Sequence, residues 1–152
     1  MKILIMGLSG AGKTYLAKRL QKHLDCDWHN ADKLREKYND WDFSREGRIR
    51  QAYRMEEYAE KSKTKYVICD FICALEEMRN IFSSHYVIWM DTVKSSQYED
   101  TDKAFEPPKV YDLRIDKYLN DNEIKEVANK IRRYRSSMML DSMNRPHTMD
   151  IE

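Results

Sequence analysis

Short apolar runs alternate along this chain with longer stretches whose apolar residues recur at helical spacing. Lys2 to Met6 is the first run and reads as a strand buried on both faces. Leu16, Ala17, Leu20 and Leu24 then mark one side of a helix over Lys13–Leu24, and Asp25 to His29 returns as a short strand. After a turn at Asn39–Phe43, a long helix is expected from Ser44 to about Ser62, with Ile49, Ala52, Tyr53, Met55, Tyr58 and Ala59 on its apolar side. Lys65 to Ile72 and His85 to Asp91 are two further buried strands, separated by a short helix over Ala74–Phe82. A weaker strand is expected around Val110 to Ile115. The last helix runs from Asn120 to Arg135, capped by Asn120 or Asp121, with Ile124, Val127, Ala128 and Ile131 inward and Arg132, Arg133 and Arg135 at its negative end.

Strands alternating with helices predict an α/β fold: a doubly wound, mostly parallel five-stranded sheet with helices on both faces. Residues 1–135 make one domain. Within it, residues 93–108 have no helical period and are expected to form a short lid or substrate loop. Residues 136–152, methionine-rich and containing Pro146, are set apart as a packed arm, a partner contact or a disordered tail.

Composition narrows the function classes. Lys and Arg number 27 against 26 Asp and Glu, so no global basic field draws the chain onto nucleic acid or an anionic membrane. No apolar run approaches the length of a bilayer span, and the first residues read as a strand rather than a leader peptide. Cys26, Cys69 and Cys73 are odd in number and lack zinc-like spacing, so they read as reduced thiols, and the expected location is cytoplasmic.

The chemistry is concentrated near the start. Gly7-Leu8-Ser9-Gly10-Ala11-Gly12-Lys13-Thr14 follows the first strand and opens the first helix, the setting that a phosphate-binding loop requires. Glycines let successive amides point into one concavity, and the helix start adds positive potential. Lys13 can reach the β- and γ-phosphates, and the Thr14 hydroxyl can sit on Mg²⁺. The competing reading, a glycine turn with an incidental lysine, leaves this full match unexplained. The motif therefore implies a nucleoside triphosphate and Mg²⁺.

Other candidates lie where strands end. Asp32 and Arg35, three apart on a helix start, can orient an acceptor hydroxyl and hold an anion, unless Asp32 is merely a cap paired with Arg35 on the surface. Arg48 and Gln51, one turn apart, can face the same cleft, whereas Arg45 and Arg50 read as solvated charge. Phe43 can pack in the core or stack on a base. Asp70 follows four largely apolar positions, the pattern of a carboxylate supporting Mg²⁺, here through water.

Taken together, these residues resemble the adenylylsulfate kinases, in particular short phage-type members. The resemblance rests on Gly7–Thr14, on Asn30-Ala31-Asp32-Lys33-Leu34-Arg35, on Phe43-Ser44 followed by Arg48 and Gln51, on Phe71-Ile72 and on Phe105-Glu106-Pro107-Pro108. Asn30 stands where the family segment begins with Asp, and Asp70 where the family usually has an uncharged residue. The resemblance implies the P-loop nucleoside triphosphate hydrolase fold of the nucleotide-kinase type, and transfer of the ATP γ-phosphate to the 3′-hydroxyl of adenosine 5′-phosphosulfate. By the same resemblance Asp32 faces that hydroxyl, Arg35, Arg48 and Gln51 hold the phosphosulfate, and Phe43 stacks on the adenine. Ile72 lends backbone contacts and Phe105 a second wall.

The expected partner is thus a small nucleotide, with no membrane, and there is room for a homodimer. A polynucleotide or modified-base hydroxyl kinase is the alternative. It would use Asn30, Asp32 and Arg35, with Arg45, Arg48 and Arg50 tracking phosphates. A nucleotide-dependent switch without catalysis leaves the Asp32 and Arg35 pair without a task.

Overall fold

The computed structural model of the chain describes residues 1–144. Eleven elements follow in order: β1 Lys2–Met6, α1 Lys13–Leu24, β2 Asp27–Asn30, α2 Ala31–Tyr38, α3 Arg45–Glu60, β3 Val67–Asp70, α4 Glu76–Phe82, β4 Tyr86–Met90, α5 Glu99–Ala104, β5 Leu113–Ile115 and α6 Asp121–Met143. The five strands form one sheet in the order β2-β3-β1-β4-β5, and every pairing is parallel.

The apolar runs work because alternate residues serve opposite faces. Ile3 and Ile5 join Ile68, Tyr86 and Ile88 in a core under α1 and α6. Leu4 and Met6 join Val67, Cys69, Met55 and Phe82 in a second core under α3 and α4. Each fully buried side chain of this kind contributes about 1.5–3 kcal/mol, so a sheet covered on both faces holds the central strand β1 firmly. The chain leaves β1 for β2 on one side and reaches β4 on the other. A crevice therefore opens beyond the carboxyl end of β1, where such sheets bind ligands.

Several boundaries differ from the sequence expectation. Residues 99–104 form the six-residue helix α5, because Tyr98 starts a turn that three acidic residues stabilise at its positive end. Helix α6 continues past Arg135 to Met143, so Arg132, Arg133 and Arg135 lie within it rather than at its end. The residues of the tail from 145 onward lie outside the described part. Asn120 caps α6 in a reciprocal capping box with Glu123. Ser44 caps α3 as expected, accepting from the Gly47 amide, but Tyr53 on that helix faces outward.

Candidate functional site

The loop after β1 is shaped by its glycines. Gly7 has φ 151°, and a Cβ there would lie 2.5 Å from the carbonyl oxygen of Met90 on the neighbouring strand. Gly12 caps α1 in the left-handed region at φ 97°, and a Cβ would come within 3.0 Å of the Tyr118 ring. Only glycine satisfies both positions. The Ala11 amide donates to Leu8 O at 3.1 Å, and Thr92 Oγ1 donates to Ala11 O at 2.7 Å, tying the loop to the end of β4. Leu8, Ala11 and Gly7 are buried and Ser9 half-buried, while Gly10 and Thr14 are exposed at the rim.

Lys13 donates to Leu8 O at 2.9 Å. Burial pulls its pKa down to about 8, with Asp70 and then Asp32 opposing that fall. Below pH 8 the half-buried ammonium lacks enough negative charge around it, which a triphosphate would supply. Binding at pH 8 should therefore take up about half a proton, as the phosphates raise Lys13 above its free value. Titration calorimetry of an ATP analogue in two buffers of different ionisation enthalpy checks this; identical heats would contradict it.

Asp70 ends β3, one strand from the loop, and is 1% exposed. Its Oδ1 accepts from Asn30 Nδ2 at 2.8 Å, and the same nitrogen reaches Thr14 Oγ1 at 3.3 Å. Its Oδ2 is buried and makes no hydrogen bond of good geometry among the described residues, although the Thr14 hydroxyl and the Trp28 indole N–H lie near enough to favour the charged carboxylate. A hard cation with oxygen ligands fits that orphaned oxygen beside the Thr14 hydroxyl. No group of three His, Cys, Asp or Glu side chains is placed to hold a metal ion among the described residues, so phosphate oxygens would have to complete the shell of Mg²⁺.

Burial lifts the Asp70 pKa to about 6, against the hydrogen bond from Asn30 and the charge of Lys13. Because the folded value is raised, the stabilising contribution is full at acid pH and is lost as pH rises through about 6, a change on the order of 3 kcal/mol. In EDTA, Asp70→Asn should thus melt several degrees above the wild type at pH 7.5, with no advantage below about pH 4. Parallel melting curves at the two pH values would test this; equal melting temperatures at pH 7.5 would contradict it.

On the other side of the loop, β2 runs into α2. Asn30, not Asp32, caps that helix, accepting from the Lys33 amide at 3.1 Å. Asp32 is exposed and makes no ion pair with Arg35. Arg35 turns inward instead, donating to the carbonyls of Asp40 at 2.9 Å and Asp42 at 3.2 Å. Arg48 on α3 is also buried and donates to Phe43 O at 2.8 Å and Thr101 Oγ1 at 3.0 Å. Among the described residues neither guanidinium meets a carboxylate within ion-pair distance, and both lie over the Phe43 ring, at 4.3 Å and 5.7 Å from its centroid. Burial lowers both pKa values, Arg35 and Arg48 alike.

The remaining expectations divide. Gln51 is buried but spent, donating to Ala31 O at 3.1 Å and accepting from Arg54 at 2.6 Å, so it is not free to hold an anion. Phe43 lies in no core and stays 44% exposed, open to a stacking partner. Ile72 is half-buried just past β3. Phe105 packs against the α3 and α4 core with the Arg79 guanidinium over it at 5.8 Å. Arg50 is held by Asp40 and Asp42, and Arg45 by Glu77.

Sequence reasoning missed Thr101 and Tyr118. Thr101 reaches Arg48 from the short helix α5, and the Tyr118 hydroxyl donates to Gly10 O at 3.2 Å. Both act across long sequence separations, and no local pattern signals them.

Compared with known proteins, the chain matches the family model described as adenylylsulphate kinase over residues 1–94. Among solved structures, it is similar to the APS kinase of Mycobacterium tuberculosis in complex with AMPPNP and APS, at 19% identity and TM-score 0.68, covering 89% of this chain and 96% of that one. A gluconokinase from Sinorhizobium meliloti 1021 aligns at 13% identity and TM-score 0.67, covering 93% and 97% of the two chains. Shikimate kinase from Acinetobacter baumannii in complex with shikimate aligns at 16% and 0.59, covering 95% of each. At these identities the likeness shows the fold, that of the P-loop kinases. A search of curated proteins gave no match.

Proposed function

The chain belongs to the adenylylsulphate kinase family, whose members are phosphotransferases with an alcohol acceptor, and from that we propose that it moves the γ-phosphate of ATP to the 3′-hydroxyl of adenosine 5′-phosphosulfate. The observation that carries the acceptor is the pair of buried guanidiniums, Arg35 and Arg48, on one exposed aromatic ring. A buried charge without a counter-ion is costly, and carbonyl oxygens compensate it only in part. An anion attached to a flat base fits both requirements, with the charged end at the arginines and the base on Phe43.

In this reading the triphosphate lies along Gly7–Thr14 with Lys13 on its terminal phosphates. Thr14 would hold Mg²⁺ with support from Asp70, and the ion when bound would supply neutralising charge to the transferring group. Asp32 stands exposed at the start of α2, close enough to Lys13 to influence it, and accepts the proton of the incoming hydroxyl. Thr101 and α5 keep Arg48 in place from the lid side. The polynucleotide alternative loses support, because Arg45 and Arg50 are occupied by Glu77, Asp40 and Asp42.

The test is ADP release from ATP with a panel of adenosine 5′-phosphosulfate, nucleoside monophosphates and 5′-hydroxyl oligonucleotides. Release stimulated by adenosine 5′-phosphosulfate alone is expected; stimulation by the oligonucleotides alone would overturn the assignment. In the same assay Arg48→Ala should raise the acceptor KM about tenfold or more while kcat changes little. An unchanged KM would remove α3 from the acceptor site.

A further inference from the structure

Asn30 has no free hydrogen-bonding group. Its Oδ1 accepts from the Lys33 amide at 3.1 Å, which fixes the orientation of the side-chain amide. The opposite end then has to be the donor, and it meets Asp70 Oδ1 at 2.8 Å and Thr14 Oγ1 at 3.3 Å. One side chain thereby joins three elements: the start of α2, the end of β3 and the start of α1. The register explains how, since Asn30 and Asp70 are directly paired at the ends of adjacent parallel strands.

We propose that Asn30 is a positioning residue for the cation site: it turns the buried Asp70 carboxylate so that Oδ2 is left to serve the cation, and it locks the helix bearing Asp32 and Arg35 to that carboxylate. This rests on the kinase reading above. Two properties of the residue are needed together. It must accept in order to cap α2, and it must donate in order to hold Asp70. Aspartate can do the first but not the second, and at the 2.8 Å contact it would set two carboxylates against each other. Leucine, of similar size, can do neither.

The pairing also predicts an exchange. With Asn30→Asp and Asp70→Asn together, the cap survives, one carboxylate remains, and the amide now donates from β3 to β2. The arrangement is the mirror of the natural one. A merely structural role for Asn30 gives no reason for the cation dependence of nucleotide binding to follow this exchange.

The experiment measures the affinity of the full chain for AMPPNP in MgCl₂ and in EDTA, for the wild type, Asn30→Asp, Asp70→Asn and the double exchange, each checked for folding by its melting curve. The ratio of the two affinities is the readout. The wild type should bind more tightly with Mg²⁺; each single variant should lose about tenfold or more of that gain, as changes to groups that orient a metal site do. The exchange should recover most of it. A wild-type ratio in Asn30→Asp, or an exchange no better than the worse single variant, would overturn the proposal while leaving the kinase reading intact. A wild type equally tight in MgCl₂ and EDTA would overturn the cation site and that reading together.

Discussion

Lys13→Ala should lower turnover by at least about a thousandfold while leaving the fold intact. The lysine is a half-buried ammonium held against the phosphate loop through Leu8 O, and both neighbouring carboxylates act on it. In phosphoryl transfer little covalent chemistry falls to the protein, so alignment and charge neutralisation account for most of the acceleration. Removing a preorganised cation from a partly desolvated site typically costs several kcal/mol of transition-state stabilisation. Folding should not suffer, because charged Lys13 is a burden on the free protein below pH 8. Single-turnover kinetics beside a melting curve checks both halves. A loss of turnover matched by a loss of structure would mean that Lys13 is a structural residue.

The second large effect is expected at Asp32. Asp32→Asn removes one charge from an exposed side chain that makes no ion pair among the described residues, so binding of ATP should be unchanged. Transfer to the acceptor should slow by about a hundredfold or more, since a positioned base contributes that much. The kcat should fall with the acceptor KM nearly constant, because anion binding belongs to Arg35 and Arg48. Near-normal transfer by Asp32→Asn would remove the residue from the mechanism.

The two halves of the site differed in how clearly they could be read from the chain. The phosphate loop was fully legible, because strand, turn and helix are contiguous and the glycines have local backbone reasons to be there. Asp70 was visible as an acid at the end of a buried run. Its link to Asn30 and Thr14 was not, because three separate strand and helix ends meet only through the sheet order.

The acceptor side was half legible. Spacing on α2 suggested that Asp32 and Arg35 would share a face, yet Arg35 gains more by satisfying the carbonyls of the Asp40–Asp42 turn than by pairing with an exposed carboxylate. Helix α5 escaped notice because it has fewer than two turns and only Thr101 is buried. The end of α6 escaped for a related reason. Its last fully buried residue is Ile131, and its last apolar contact with the core is made by the half-buried Tyr134 against Tyr86. The stretch from Ser136 to Met143 has no buried residue to mark its period. Met138, Met139, Leu140 and Met143 are good helix formers that can carry a helix on without an apolar stripe, but the pattern then gives no sign of it.

The most direct measurement of the whole account is ³¹P NMR of the chain with ATP, MgCl₂ and adenosine 5′-phosphosulfate. A new phosphomonoester resonance on the 3′ position should grow as the ATP γ-phosphate signal falls. Loss of the γ signal into inorganic phosphate alone, or no loss at all, would contradict it.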